Sequence, residues 1–294
     1  MPVFLAPARL AGGSCSSVRP GESGHSPAAA FPVTLLPVRN PFVAALLVMG
    51  SILVVRAAAL VPPELVALSE LVMNDRPSVE ELRRSAAEAA GIGSRIEDPA
   101  DRLRHVAMLE FLVGFGELGM GLRSEADASF QRAADFARRS NRVRETSEAA
   151  RVLADALNQL LGLRGAGYRV LYASRARTAA HRAVELDPAN PFAHLALAAF
   201  LASAPPVAGG DPQAAQHHLG TAASLTDDRL ARFLIAIWNA RIIAATASAG
   251  GAPADQSDQS DEALAEAIGK AYAIFPRNWW LAEVAADLGM QLPE

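Results

Sequence analysis

The sequence predicts an all-α protein built from repeated helix–turn–helix pairs. Three observations predict this fold class. A short stripe of small and bulky residues returns four times, alanine is abundant while aromatic residues make up only 6% of the chain, and Gly or Pro residues interrupt the apolar segments at intervals that suit helices. An alanine-rich, aromatic-poor composition favours close-packed helices. No segment shows the alternation of apolar and polar residues that predicts a strand.

Each stripe contains a first residue, a second four positions later and a third after three more, so its members share one face of a helix. Small residues on that face allow a neighbouring helix to approach closely. Pro188 and Pro276 lie five residues past the last alanine of two stripes and predict the ends of those helices. The four stripes are Ala126, Phe130 and Ala133; Ala176, Ala180 and Ala183; Ala215, Leu219 and Ala222; and Leu264, Ile268 and Ala271.

The predicted helices follow one another from residue 63 to near the C-terminus. Ser78 and Glu81 have the spacing of a capping box, and Asp211 followed by Pro212 has the pattern of a helix start. The polar segment 250–261 contains no large apolar residue and predicts a mobile loop inside the last repeat. The predicted helices lie near 63–73, 78–90, 99–118, 122–140, 143–162, 168–186, 191–203, 212–225, 228–247, 262–275 and 278–289.

The chain before residue 62 predicts segments of a different kind. Residues 1–41 are rich in Gly, Ser, Pro and Ala, and we interpret them as a disordered or mis-annotated N-terminal extension, or as a transit peptide. Residues 42–61 begin with a long uncharged run, which predicts a signal peptide or a membrane anchor, with a buried core helix as the alternative. A signal or an anchor places the helical domain, residues 62–294, in the periplasm or on the outer side of the membrane.

Composition excludes several classes of protein. The net charge of −4 leaves no basic footprint for nucleic acid. The single cysteine, Cys15, excludes an intramolecular disulfide framework and a zinc site with several cysteines. His217 and His218 are adjacent and point about 100° apart on a helix. His181 and His194 have no histidine one turn away, so we expect no metal site.

Two glycine motifs resemble phosphate-binding sequences but have simpler explanations. Residues 114–119 form a G-x-G-x-x-G sequence, yet no strand–helix–strand unit surrounds it, so a dinucleotide site is not expected. Gly209-Gly210-Asp211 precedes a helix, and its aspartate predicts a helix cap rather than an anion site. The sequence contains no recognisable set of catalytic residues, so we expect no cofactor and no enzymatic activity.

The stripes resemble the second helix of a tetratricopeptide repeat, whose signature ends in Ala, an aromatic residue, Ala and then Pro. Gly114 falls at the small first-helix position of the first unit, and Ala198 follows Pro188 at the spacing of the next first helix. The resemblance covers roughly residues 99–289 and implies a degenerate α-solenoid that binds partners. The closing alanines at 133, 183, 222 and 271 are 50, 39 and 49 residues apart. A regular array would repeat about every 34 residues.

A narrower segment, residues 204–219 (APPVAGGDPQAAQHHL), resembles the T-component (TatT-like) family of TRAP transporters. Members of that family are periplasmic helical-repeat lipoproteins that assemble with a ligand-binding partner. The resemblance implies a transporter accessory whose partner is a periplasmic substrate-binding protein. A lipobox is poorly supported, because Cys15 follows Gly-Gly-Ser and no apolar run precedes it.

The first helices of a tetratricopeptide array line its concave face, and here they are apolar nearly all round. Such helices are either buried core or the walls of a groove for a hydrophobic ligand or a partner helix. Tyr168 and Tyr172 belong to a Tyr/Arg-rich stretch that would edge this groove, and Trp279-Trp280 would cap the array. The groove candidates on the first helices are Met108, Phe111, Phe115, Leu118, Phe192, Leu195 and Ala199.

Together these observations predict a non-enzymatic binding scaffold of tetratricopeptide type, exported or membrane-anchored, with a protein partner. The alternative is a carrier that holds a hydrophobic small ligand in an apolar helical groove. The two hypotheses differ in what should accompany the purified protein. If the scaffold hypothesis holds, another protein should co-purify with the chain from native membranes. If the carrier hypothesis holds, the purified chain should retain a lipid or another small molecule.

Overall fold

A computed structural model of the protein describes residues 61–74, 76–250 and 254–292. Apart from Val61, the predicted segments 1–41 and 42–61 lie outside the described residues. The regular elements in the described ranges are all helical, with no strand among them. This confirms the prediction of an all-α fold.

Eleven α-helices and one short 3₁₀ turn make up the described part of the chain. They are α1 (Pro63–Asn74), α2 (Val79–Gly93), α3 (Pro99–Gly119), α4 (Arg123–Val143), α5 (Ser147–Leu163), α6 (Gly165–Leu186), α7 (Pro191–Ser203), η1 (Pro206–Ala208), α8 (Pro212–Leu225), α9 (Arg229–Gly250), α10 (Ala254–Ile274) and α11 (Trp279–Asp287). Ser78 forms the predicted capping box with Glu81, and Asp211 caps α8 as predicted.

From α3 onward the helices pack in sequential pairs: α3 with α4, α5 with α6, α7 with α8, and α9 with α10. The first helix of each pair also packs against the first helix of the next pair. Helices α1, α3, α5, α7, α9 and α11 therefore form one continuous layer, which we call the first-helix layer. Each second helix packs against its own first helix and against the one that follows. This arrangement is an α-solenoid-like array of irregular helical repeats.

The four stripes lie on the second helices α4, α6, α8 and α10. All their members are buried except Leu264, which is partly buried against the core. Gly114 in α3 shows why small residues are needed between the layers. A Cβ at this position would lie 3.0 Å from the ring of Phe130, so a larger residue would push α3 away from α4.

Two further glycines of α3 are places where other helices approach. A Cβ at Gly116 would lie 2.9 Å from Leu82 of α2, and a Cβ at Gly119 would lie 2.5 Å from the indole of Trp279 in α11. The G-x-G-x-x-G sequence therefore lies inside a continuous helix, where its glycines make room for three sets of neighbours. It does not form a phosphate-binding turn after a strand.

The C-terminal helices contact the beginning of the described chain. Asn278 caps α11, and its Nδ2 donates a hydrogen bond of 2.6 Å to the carbonyl oxygen of Met73 at the end of α1. Arg229, at the start of α9, forms an ion pair of 3.3 Å with Glu70 of α1. Together with the packing of Trp279 on Gly119, these contacts cover the apolar ends of α1 and α3.

The prediction of a mobile loop at 250–261 is wrong for residues 254–261, because these residues form the first turns of α10. Residues 251–253 lie outside the described residues. The segment is rich in Asp, and acidic residues near a helix N-terminus are favoured by the helix dipole. Low apolar content suggested irregular backbone, but a polar helix that faces solvent has the same composition.

One described helix satisfies the length and composition criteria for crossing a membrane. It is the segment 229–247 of α9, which has a mean hydropathy of 1.4 and is 33% buried inside the protein. Phe233 and Ile237 of this helix are fully buried in the core. Core helices of soluble proteins pass the same test, so the predicted export of the chain stays a prediction.

Candidate binding site

Helix α5 carries three charged residues on one face. Thr146 caps the helix, and Glu148, Arg151 and Asp155 follow at spacings of three and four, which place them side by side on the helix surface. The Arg151 guanidinium lies 2.9 Å from a carboxylate oxygen of Glu148 and 2.7 Å from one of Asp155. We call these three residues the Arg151 cluster.

Two neighbouring helices of the first-helix layer complete the surroundings of Arg151. Asn190, the N-cap of α7, donates a hydrogen bond of 2.7 Å from its Nδ2 to Glu148. The Arg151 guanidinium lies 5.7 Å from the ring centre of Phe192 in α7, and its Nη2 lies 3.7 Å from the Sδ of Met108 in α3. Three successive helix pairs therefore contribute side chains to the surroundings of Arg151. Met108 and Phe192 provide apolar surface beside the charged groups.

The Arg151 cluster is closed to solvent at its centre and more open at its carboxylates. The exposed fraction of the side chain is 8% for Arg151, 19% for Asp155 and 34% for Glu148. Burial acts to raise the pKa of Glu148, but Arg151 and Asn190 outweigh it and hold that pKa below its ordinary value. Burial raises the pKa of Asp155 to about 6 in spite of its ion pair with Arg151. Asp155 therefore exchanges its proton in the mildly acidic range.

Burial of this cluster does not by itself indicate a stabilising role. Replacing a buried ion pair by apolar residues of similar volume is often neutral or stabilising, because the desolvation of the charges offsets their attraction. The raised pKa of Asp155 agrees with this, since it means that the ionised form is disfavoured in the folded state. Charged residues with perturbed pKa values are candidates for a functional site.

The geometry suits non-covalent recognition of a hydrogen-bond donor. Glu148 and Asp155 are acceptors when ionised, and Arg151 is already shared between them. Met108 and Phe192 provide apolar walls beside the carboxylates. A cationic or amide group on an apolar stem, as in the side chains of Lys, Arg or Gln, matches this combination of acceptors and apolar walls.

The structure divides the predicted groove residues between the core and less buried positions. Phe115, Leu195 and Ala199 are buried. Phe115 packs against Trp279, with ring centres 5.0 Å apart. The partly buried candidates are Met108, Phe111, Leu118 and Phe192. Of these, the structure brings Met108 and Phe192 together, at the Arg151 cluster.

A pocket of about 220 Å³ lies elsewhere, between α9 and α11. Its lining residues are Arg241, Ala244, Ala245, Val284, Asp287 and Leu288. None of the predicted groove residues lines this pocket. It therefore does not correspond to the hydrophobic-ligand groove that the sequence suggested.

The predicted edge residues Tyr168 and Tyr172 lie on α6, a second helix. Their rings stack with centres 4.2 Å apart, and Arg164 and Arg175 lie 5.0 and 4.8 Å from the ring centres at the two ends of this stack. Arg164 also forms an ion pair of 2.5 Å with Asp127 of α4. The two tyrosines thus belong to a contact along the second helices and do not join Met108 and Phe192.

Two histidines from different helices meet between α7 and α8. Nδ1 of His194 lies 2.9 Å from Nδ1 of His218, and Nε2 of His194 lies 3.0 Å from the carbonyl oxygen of Pro188. Because a carbonyl only accepts, His194 donates from Nε2 to Pro188, and its unprotonated Nδ1 then accepts a hydrogen bond from the Nδ1–H of His218. Burial, together with His194, His217 and His181, lowers the pKa of His218 to about 4. Within the described ranges, no group of three or more His, Cys, Asp or Glu side chains is placed to hold a metal ion.

Sequence reasoning missed the Arg151 cluster. The available signal was one arginine between two acids, at spacings of three and four, on a first helix that is otherwise rich in Ala and Leu. Such triplets are common on solvated helix faces, where they form weak surface pairs. What distinguishes this triplet is burial, and burial depends on side chains from α3 and α7 that are distant in sequence.

No protein-family model matches the chain, and a search of curated proteins finds no match to it.

Proposed function

We propose that this protein is a non-enzymatic binding scaffold of tetratricopeptide type that recognises a protein partner through the first-helix layer. The observation that carries the proposal is the Arg151 cluster, a set of largely buried charges in an apolar layer, flanked by Met108 and Phe192. Three helix pairs contribute to this surface, as is usual where repeats bind a partner. The position of the four stripes on second helices supports the tetratricopeptide resemblance.

We further propose that the scaffold is exported or membrane-anchored through residues 42–61 and serves a periplasmic substrate-binding transport system. The apolar run that begins at Phe42 supports export. The likeness of residues 204–219 to the T-component family supports the accessory role, and in this segment a short turn leads into α8, which Asp211 caps. The partner under this proposal is a periplasmic substrate-binding protein.

The alternative from the sequence is a carrier of a hydrophobic ligand. That function needs the apolar side chains of the first helices to be open to the ligand. Phe115, Leu195 and Ala199 are instead buried in the core. This favours the scaffold over the carrier as the function to test first.

Site-specific photo-crosslinking in native membranes tests the scaffold proposal. A benzophenone amino acid replaces Phe192, which is partly buried beside Arg151, and in a control protein it replaces Leu225, which is 39% exposed at the end of α8. We expect a crosslinked protein at position 192 and none at position 225, and the same protein should co-purify with the tagged chain. A chain that crosslinks to no protein and retains a lipid in native mass spectrometry would contradict the scaffold and favour the carrier.

N-terminal sequencing with cell fractionation tests the proposed export. We expect a mature chain that begins near residue 60 in the periplasm, or a chain held in the membrane through residues 42–61. Recovery of a soluble cytosolic chain that still carries Met1 would contradict export. This result would leave the binding experiment at Phe192 to be judged separately.

A further inference from the structure

Four of the six histidines of the chain lie around the place where α6, α7 and α8 meet. The ring centre of His218 on α8 is 5.2 Å from that of His194 on α7 and 5.7 Å from that of its neighbour His217. His181, on α6, is near enough to act electrostatically on His218. The proposed scaffold function makes no use of this cluster. Because imidazole is the commonest metal ligand in proteins, the cluster is a candidate metal site.

His194 is held in the orientation that a metal ligand needs. Its side chain is buried, and its Nε2 donates a hydrogen bond of 3.0 Å to the carbonyl oxygen of Pro188. This bond leaves the lone pair of Nδ1 free. Histidines that bind a metal through one nitrogen almost always donate from the other to a carbonyl oxygen, a carboxylate or water, which fixes the ring. The contact with Pro188 is a supporting hydrogen bond of this kind.

The second ligand is Nδ1 of His218, which lies 2.9 Å from Nδ1 of His194. Two nitrogens that each lie about 2.0–2.1 Å from one ion are about 2.9 Å apart at a bond angle of 90°, and about 3.3–3.4 Å apart at the tetrahedral angle. The observed spacing therefore fits two neighbouring ligands at a right angle. This is the arrangement in square-planar and tetragonal sites, which Cu²⁺ and Ni²⁺ prefer.

One proton must move before both nitrogens can bind the same ion. In the hydrogen-bonded pair, Nδ1–H of His218 donates to Nδ1 of His194. Nε2 of His218 makes no hydrogen bond to the described residues, so it can hold this proton instead. His218 then binds through Nδ1 as a neutral imidazole, and no proton leaves the protein. Its ring is only partly buried, which leaves room for it to turn toward the ion.

The groups around His218 select the class of ion. Those that act electrostatically on it are the three other histidines of the cluster, with no carboxylate of the described ranges among them. Ca²⁺ and Mg²⁺ take oxygen ligands, so neither ion suits this place. Imidazole suits Cu²⁺, Ni²⁺ and Zn²⁺, and Cu²⁺ binds a given set of ligands most tightly of the three.

We propose that His194 and His218 form a binding site for a divalent transition-metal ion, with Cu²⁺ preferred, between α7 and α8. These two side chains are the protein ligands and water fills the other positions, since the described residues supply no third His, Cys, Asp or Glu. The ion would join two helices, so its binding stabilises their packing. The proposal does not depend on the scaffold function. A single helix could not predict the site, because its ligands come from two.

Titration of the full chain, without a polyhistidine tag, with copper(II) sulfate tests the proposal. The test variants H194Q and H218Q each remove one ligand, and the matched control H217Q removes the exposed neighbour. By calorimetry we expect one tight site in the wild type and in H217Q. The affinity should fall at least about tenfold in H194Q and H218Q, since even changes in the supporting shell cost about 10–100-fold. Electron paramagnetic resonance should show hyperfine splitting from two nitrogens in the wild type and H217Q.

A second measurement covers the case in which H194Q, at the buried position, fails to fold. Copper(II) sulfate should raise the Tm of the wild type and of H217Q but leave that of H218Q unchanged. Circular dichroism confirms that each variant folds. Absence of saturable binding to the wild type would overturn the proposal, as would equal affinity in the wild type and H218Q, or a loss of binding in H217Q as large as that in H218Q. Each of these results leaves the crosslinking at Phe192, and with it the scaffold function, to be judged separately.

Discussion

The indole of Trp279 in α11 lies directly against Gly119 at the end of α3. A Cβ at Gly119 would come within 2.5 Å of indole Nε1, and the indole is only 3% exposed. The last helix of the described chain thus meets α3 at a glycine. The contact explains why α3, an apolar helix, remains covered where it passes the last repeat.

The G119A variant should destabilise the protein by about 1–3 kcal/mol, because a methyl group at this position overpacks the contact with Trp279. The matched control is G220A in α8, where a Cβ would have nothing within 4 Å. G220A should stabilise the protein by about 0.5–1 kcal/mol, since alanine favours the helix over glycine. Urea unfolding of both variants measures the two changes. Equal stabilisation by both substitutions would show that Trp279 does not occupy this space.

The N278D variant should separate the two hydrogen bonds of Asn278. Aspartate keeps the helix cap, because its carboxylate still accepts from the amide of Leu281, but it cannot donate to the carbonyl oxygen of Met73. We expect a loss of about 1–3 kcal/mol in stability and faster hydrogen exchange at the end of α1. D211N in α8 is the control, since Asn and Asp cap helices equally well. If N278D lowers the free energy of unfolding no more than D211N does, the hydrogen bond from Asn278 to Met73 would be contradicted.

The D155N variant should change how stability depends on pH. The pKa of Asp155 is about 6 in the folded protein and about 3.9 in an unfolded chain, so the folded state retains a proton that the unfolded state has released. The wild-type protein therefore loses stability as the pH rises from about 4 to 6. Relative to the wild type, D155N should gain about 1–3 kcal/mol between pH 4 and pH 7. Unfolding curves at several pH values measure this gain.

Asp135 provides the control for that experiment. It pairs with Arg138 on α4, and its side chain is 54% exposed. D135N therefore measures the effect of removing a carboxylate that solvent screens. A D155N curve that runs parallel to the wild-type curve would mean that Asp155 ionises freely in the folded state.

The H218Q variant should change the pH dependence in the opposite direction. The pKa of His218 is about 4 in the folded protein and about 6.5 in an unfolded chain. As the pH falls from about 6.5 to 4, the unfolded state takes up a proton first, and the wild-type protein loses stability. H218Q should remove about 1–2 kcal/mol of this loss, allowing for partial exposure of the ring. H217Q, at the exposed neighbour, is the matched control for the loss of one imidazole. A wild-type slope that persists in H218Q would contradict the partial burial of His218 against His194.

Local signals predicted most of the fold. The capping box at Ser78, the Asp211-Pro212 start and the prolines after the stripes are read from a few adjacent residues, and the helices begin and end close to the predicted positions. The start of α10 was missed because a polar helix facing solvent and a polar loop have similar composition. The stripes predicted which helix faces would be buried, because their spacing fixes the face directly.

The candidate site could not be predicted in the same way. Arg151 and its two acids are visible in the sequence, but the burial that distinguishes them comes from side chains of α3 and α7. His194 and His218 meet across two helices for the same reason. Positions that are distant in sequence come together only through the packing of whole helices, and the periodicity of one helix does not specify its neighbours.

The packing of Trp279 on Gly119 has a consequence for how this protein can evolve. Arrays whose units contact only their neighbours can gain or lose units by duplication or deletion, and their stability is close to a sum over units. Here an added unit would carry α11 away from α3 and expose both faces. The number of helix pairs between α3 and α11 is therefore fixed by this contact, and the domain should unfold as one cooperative body rather than unit by unit.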